Sequence, residues 1–126
     1  MRLLLSVLLA VALVITAGFG VNRQLSMATD RLLEQIDRIT VEIEQNNWES
    51  AAGETDKLLE VWEKEAGWWP IFFEHYEMDN IEFSMAKFKE YVACKDTPLS
   101  LGQLSEMRLM IEHMPRKEAV SLDNIF

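Results

Sequence analysis

LLLSVLLAVALVITAGFGV, residues 3–21, is a run of nineteen residues without a charge, and the chain beyond it is polar, acidic and patterned for helix. At about 1.5 Å of rise per residue, such a run forms a helix of roughly 28 Å, close to the ~30 Å hydrocarbon core of a bilayer. It is therefore read as a transmembrane anchor covering residues 1–21. A cleaved secretory signal is the rival reading, but the apolar run is long for one. The small-residue candidates for cleavage, Thr16-Ala17-Gly18 and Gly18-Phe19-Gly20, are only fair. Arg2 and the terminal amine favour an inside amino end, with Arg23 on the far side opposing them. The expected arrangement is a single-pass cell-membrane protein with its amino terminus inside and its carboxyl-terminal domain outside.

The charge balance narrows the function classes. The 126 residues carry −9, and with Arg2 set aside the rest carries −10. A surface this acidic opposes nucleic-acid binding, which needs clustered Lys and Arg. It also opposes adhesion to anionic headgroups, so the apolar helix has to supply contact with membrane lipid. Cys94 is the single cysteine, so no internal disulfide staples the fold.

Beyond the anchor the periodicity is helical, with no alternating strand pattern. Leu25, Leu32, Ile36, Ile39 and Ile43 mark one face of a first helix over about 22–45. Nothing forbids that helix from continuing out of the anchor, although Gly18 and Gly20 allow a bend. Asn46-Asn47 is a break. Trp48, Ala51, Ala52, Thr55, Leu58, Leu59 and Trp62 then form a stripe over 48–66, with Gly67 as a left-handed stop. Pro70 is placed in the first turn of a third helix running to about 95. That helix has a main stripe of Met78, Ile81, Met85, Phe88 and Val92 and a second one of Phe72, Tyr76 and Phe83, which suggests two buried faces. After Asp96-Thr97-Pro98, Ser100 and Gln103 are spaced for a capping box. Leu104, Met107, Ile111 and Met114 come next, and the fourth helix is expected to end near Pro115. Short breaks between helices of similar length predict antiparallel neighbours. The fold class is thus all-α: an amino-terminal transmembrane helix, a four-helix up-down bundle over 22–117, and a tail over 118–126.

An up-down course returns the second turn and the end of the chain to membrane level. Trp68, Trp69, Phe72, Phe73 and Phe126 are accordingly the candidate contact surface, toward lipid or a neighbouring membrane protein. The alternative is that these rings plug the end of the core. The densest polar constellation is His75, Asp79 and Glu82, which share a helix face at i, i+4 and i+7. A carboxylate one turn from an imidazole can orient it or join it at a metal, with His113 as a further nitrogen. The paired Glu-x-x-His motifs of a di-iron bundle and the HExxH motif are absent, as are a phosphate loop and a Gly-x-Ser-x-Gly elbow. No cofactor, metal or catalytic residue is therefore assigned, and an enzyme is not expected. A metal-binding or catalytic bundle built on His75, Asp79 and Glu82 is the second hypothesis, and a secreted helical domain after cleavage the third.

Taken in order, several landmarks resemble a family. They are the apolar leader, Trp48-Glu49, Trp62, Trp69, the block His75-x-Glu77-x-Asp79-x-Ile81-Glu82, and the ending Asn124-Ile125-Phe126. The chain resembles the domain of unknown function 4363 family, small membrane-associated helical proteins of endospore-forming Gram-positive bacteria. The resemblance implies no activity, cofactor or catalytic residue. It implies a membrane-associated helical protein whose natural company is another membrane protein.

Overall fold

The computed structural model describes residues 1–71 and 73–125, with side chains through Met114. Among the described residues it has four α-helices and no strand. α1 runs Arg2–Glu44, α2 Trp48–Ala66, α3 His75–Ala93 and α4 Thr97–Ile125, with a 3-10 turn at Trp69–Ile71 between α2 and α3. The anchor and the first bundle helix are one element. α1 continues through Gly18 and Gly20 for 43 residues, roughly 64 Å. Each glycine costs about 1 kcal/mol against Ala in a helix interior, but no proline or polar cluster adds to that cost.

α1 packs between α2 and α4, and α3 packs against α2 and α4 on the opposite side. The core takes in most of the predicted stripes: Leu25, Leu32, Ile36, Ile39 and Ile43 of α1, Leu58 and Trp62 of α2, Met78 to Val92 of α3, and Leu104, Met107, Ile111 and Met114 of α4. Trp69 and Phe73 join it, whereas Ala52, placed on the α2 stripe by spacing, is exposed. Each buried side chain of this size contributes about 1.5–3 kcal/mol relative to exposure. Burial alone does not choose a register, whereas polar contacts do, and each neighbouring pair has one. The Gln35 amide donates to the Glu54 carbonyl at 2.9 Å and to its carboxylate at 2.5 Å, joining α1 to α2. Arg31 pairs with Glu65 across the same interface. Arg108 pairs with Asp37 between α4 and α1. The buried Gln103 amide donates to the Ser84 hydroxyl between α4 and α3. The Trp62 indole donates to Glu82 at 3.3 Å between α2 and α3.

The two turns farthest from the apolar end are built alike. Asn46 and Lys95 both sit in the left-handed region, with φ of 60° and 55°. In the first turn, Asn47 N–H reaches the Glu42 carbonyl at 2.9 Å and Asn46 N–H reaches Ile43 at 3.0 Å. In the second, Asp96 reaches Tyr91 at 3.1 Å and Lys95 reaches Val92 at 3.0 Å. Both are Schellman closures, which satisfy carbonyls that a helix end would otherwise leave open. Asp96 then caps α4, its carboxylate accepting from Leu99 N–H at 3.0 Å.

Four local expectations are corrected. Gly67 is right-handed, with φ −59°, because the chain does not reverse there but runs on to the 3-10 turn. Pro70 lies in that turn and α3 starts only at His75, after an extended Glu74 that re-aims the chain. Ser100 is not a cap. It is buried one turn inside α4, and Gln103 turns inward to Ser84. α4 does not end near Pro115 but continues to Ile125 through Arg116-Lys117-Glu118-Ala119, all strong helix formers.

The left-handed turns and the α1–α2 contact can each be tested by substitution. An L-residue in the left-handed region costs about 1–2 kcal/mol, which glycine avoids. Lys95→Gly should therefore raise the urea midpoint by the equivalent of about 1 kcal/mol. Gly67→Ala should also be tolerated, because its new Cβ would meet the Glu63 carbonyl at an ordinary 3.6 Å. The other test concerns acid. The Gln35 hydrogen bond, with Lys57 beside it, holds the Glu54 carboxyl below its ordinary 4.5. The folded value lies under the unfolded one, so this contribution is present above about pH 4.5 and is lost as pH falls through the folded value. Urea melts across pH 3–7 should show a shallower acid decline in Glu54→Gln than in the parent.

Candidate functional site

Three features are candidates: the uncovered half of α1, the turn between α2 and α3, and the polar cluster at the start of α3. The first is defined by a contrast within one helix. Apolar side chains from Leu3 to Ile15, and Phe19, are exposed, whereas from Leu25 onward the same helix has a buried face. α1 is the one described helix long and apolar enough to cross a membrane, a property that signal sequences share.

The turn is mostly interior. Trp69 has no exposed surface and Phe73 retains 6%, while Trp68 is half-buried against the core. Trp69 meets Trp62 edge-on at 5.4 Å between ring centroids, Trp68 at 6.3 Å and Phe73 at 6.0 Å. Edge-on packing sets the positive edge of one ring against the negative face of another and contributes about 0.5–1.5 kcal/mol beyond area burial. Trp69 and Phe73 thus close the core, which for these two candidates is the alternative of rings plugging the end of the bundle. The driving force is the area of a Trp ring set opposite Trp62, which neither residue could bury facing outward. Phe72 and Phe126 lie outside the described residues. Among the described residues of the turn, Ile71 is the large apolar side chain left outward, 78% exposed.

His75, Asp79 and Glu82 do share a face, beside a shallow depression of about 320 Å³ floored by Trp62, Ala66 and Met78. All three are exposed. Glu82 is engaged by the Trp62 indole, so the carboxylate ties α3 to α2. His113 does not join them; it lines a separate groove between α3 and α4 with Tyr76 and Met110. Among the described residues no group of three or more His, Cys, Asp or Glu is arranged to hold a metal. Glu74 is exposed and extended, and its side chain makes no capping bond.

The second stripe on α3 is the notable miss. Tyr76 is 71% and Phe83 62% exposed, so the face read as buried is uncovered in this chain. The signal was in the angles. Tyr76 lies about 200° from Met78 at 100° per residue, and a helix at the corner of a four-helix bundle has core contacts on one side only. Trp69→Ala should accordingly cost about 3–5 kcal/mol in urea unfolding, whereas Phe83→Ser and His75→Ala should each stay within about 0.5 kcal/mol.

No match was found among curated proteins or among solved structures. One family model, described as a domain of unknown function (DUF4363), matches residues 19–125, which begins where the apolar run is ending and spans the whole bundle. The chain belongs to the DUF4363 family.

Proposed function

We propose that this protein is a single-pass membrane-anchored helical bundle whose body stands outside the cell membrane, where it serves as an accessory, partner-binding subunit of the envelope. The observation that carries the reading is the continuity of α1. One unbroken helix has an apolar half that no described residue covers and a second half that supplies part of the core of the bundle. An uncovered apolar helix of ~28 Å is costly in water and matched to a bilayer. Such a helix holds the bundle at a set distance from the lipid instead of on a loose tether. Arg2 at the amino end supports an inside amino terminus.

The outward face of α3 supports the partner-binding part. Tyr76 and Phe83, about two turns apart, present aromatic surface on an otherwise acidic body, and aromatics are enriched where proteins meet. His75, Asp79 and Glu82 are read as a solvated face with one structural carboxylate, and the reading assigns them no chemistry.

The test uses the full chain in its own cells. The protein should stay with membranes through alkaline carbonate washing, and protease added to intact cells should remove the bundle. Recovery in the medium with a mass lacking the apolar leader would establish a cleaved signal instead. A protease-resistant body in intact cells would reverse the orientation. A photo-crosslinker at Phe83 should join the chain to one defined membrane protein that the same group at Glu60, on the exposed face of α2, does not capture.

A further inference from the structure

The polar contacts between helices set heights along α1, and those heights place the α2–α3 turn beside the lipid. α1 and α2 are antiparallel, with Gln35 opposite Glu54 and Arg31 opposite Glu65. Following each pairing down at ~1.5 Å per residue brings Trp68 level with about residues 21–28 of α1. The Trp62–Glu82 contact carries the same level across to α3, where it meets Tyr76. The apolar run ends at Val21. Trp68, Ile71 and Tyr76 therefore lie between the level where hydrocarbon gives way to headgroups and about 10 Å beyond it, a span that takes in the headgroup layer, about 5–8 Å deep on each side of a bilayer.

Their chemistry fits that layer. Trp and Tyr are the residues enriched where a membrane protein crosses the headgroups, since each has an apolar ring and a polar edge that stays wet. Among the described residues, Ile71 is the most exposed large apolar side chain beyond the apolar run, in a turn whose Trp69 and Phe73 rings are buried. A turn that buries those two rings yet leaves an isoleucine outward has a rigid base and a greasy point. Glu74, Glu77 and Asp79 flank it, so an anionic surface would repel the site and a zwitterionic one would not.

We infer that the bundle touches the membrane twice: through α1, and through a foot formed by Ile71, Tyr76 and the edge of Trp68 resting in the headgroup–acyl boundary of the leaflet from which α1 emerges. The inference rests on the membrane-anchored reading of α1. With two contacts the body does not rotate freely about the α1 axis, so the faces of α3 and α4 hold a fixed direction relative to the bilayer.

The experiment reconstitutes the full chain in phosphatidylcholine vesicles and confirms that it co-floats with them. An environment-sensitive fluorophore is placed at Ile71→Cys or at Tyr76→Cys in a Cys94→Ser background. The control carries the same label on native Cys94, which is exposed at the other end of α3, roughly 28 Å away. Lipids brominated high on their acyl chains should remove most of the emission at positions 71 and 76 and leave position 94 unchanged. Co-floating protein whose labels at 71 and 76 are quenched no more than at 94 would overturn the foot while leaving the anchor standing. Failure to co-float would overturn both.

Discussion

One helix with two environments is the constraint on which this molecule depends. α1 has to be apolar on every side along residues 3–21 and apolar on one side only from Leu25 onward, without breaking between. An apolar surface all round is matched to lipid, and a stripe of about 100° is matched to a bundle. The transition is short, from Val21 through Asn22 and Arg23 to Leu25. Because the helix is continuous, on the membrane-anchored reading proposed above position along its sequence is also height above the bilayer. Everything the other helices attach to α1 inherits a height from it.

The remaining helices attach at points that polar groups choose. Hydrophobic stripes tolerate sliding by a turn, since the next apolar residue replaces the last. A buried amide does not, because moving it leaves an unsatisfied group that costs about 1–3 kcal/mol. Gln35 on Glu54 and Gln103 on Ser84 hold α1 to α2 and α4 to α3 in this way. The ion pairs Arg31–Glu65 and Arg108–Asp37 have more exposed partners, and pairs of that kind contribute at most about 1 kcal/mol each. Their orientation agrees with the same registers. The two distal turns achieve reversal within three residues through left-handed Asn46 and Lys95, so the far end of the bundle is tight. The near end is reversed instead by a longer segment whose rings fill the core.

Much of the architecture could be read from residue spacing alone. Helical stripes with a period near 3.6 located the core of all four helices, and Asn46-Asn47 and Asp96-Thr97-Pro98 marked two of the three reversals. What could not be read depends on contacts between segments distant in sequence. Trp68-Trp69 looks like an exposed aromatic pair until Trp62 is brought within 5.4 Å of Trp69. Ser100 and Gln103 have the spacing of a capping box, yet the partner that decides Gln103 is Ser84, nineteen residues away. Gly67 could take a positive φ but is not asked to, because the next residues still descend. Tyr76 and Phe83 keep helical spacing as faithfully as the core stripe does, and periodicity alone does not say whether an apolar face meets its own chain, another chain or lipid. On the polar side, i, i+4 and i+7 spacing put His75, Asp79 and Glu82 on one face, but only the fold shows that Glu82 is committed to Trp62.

The central claim is that α1 passes without interruption from lipid into the bundle. A nitroxide scan along α1 from Val14 to Ile43, in the full chain reconstituted in bilayers, tests it most directly. Collisions with oxygen, which concentrates in lipid, and with a water-soluble nickel chelate report the surroundings of each position. The account predicts high oxygen and low nickel access on every side up to about Val21. Beyond that point access should oscillate with a period near 3.6, with minima at Leu25, Leu32, Ile36, Ile39 and Ile43, and with the helical phase kept across Gly18 to Asn22. Nickel access throughout residues 14–21, or a loss of phase at that junction, would contradict it.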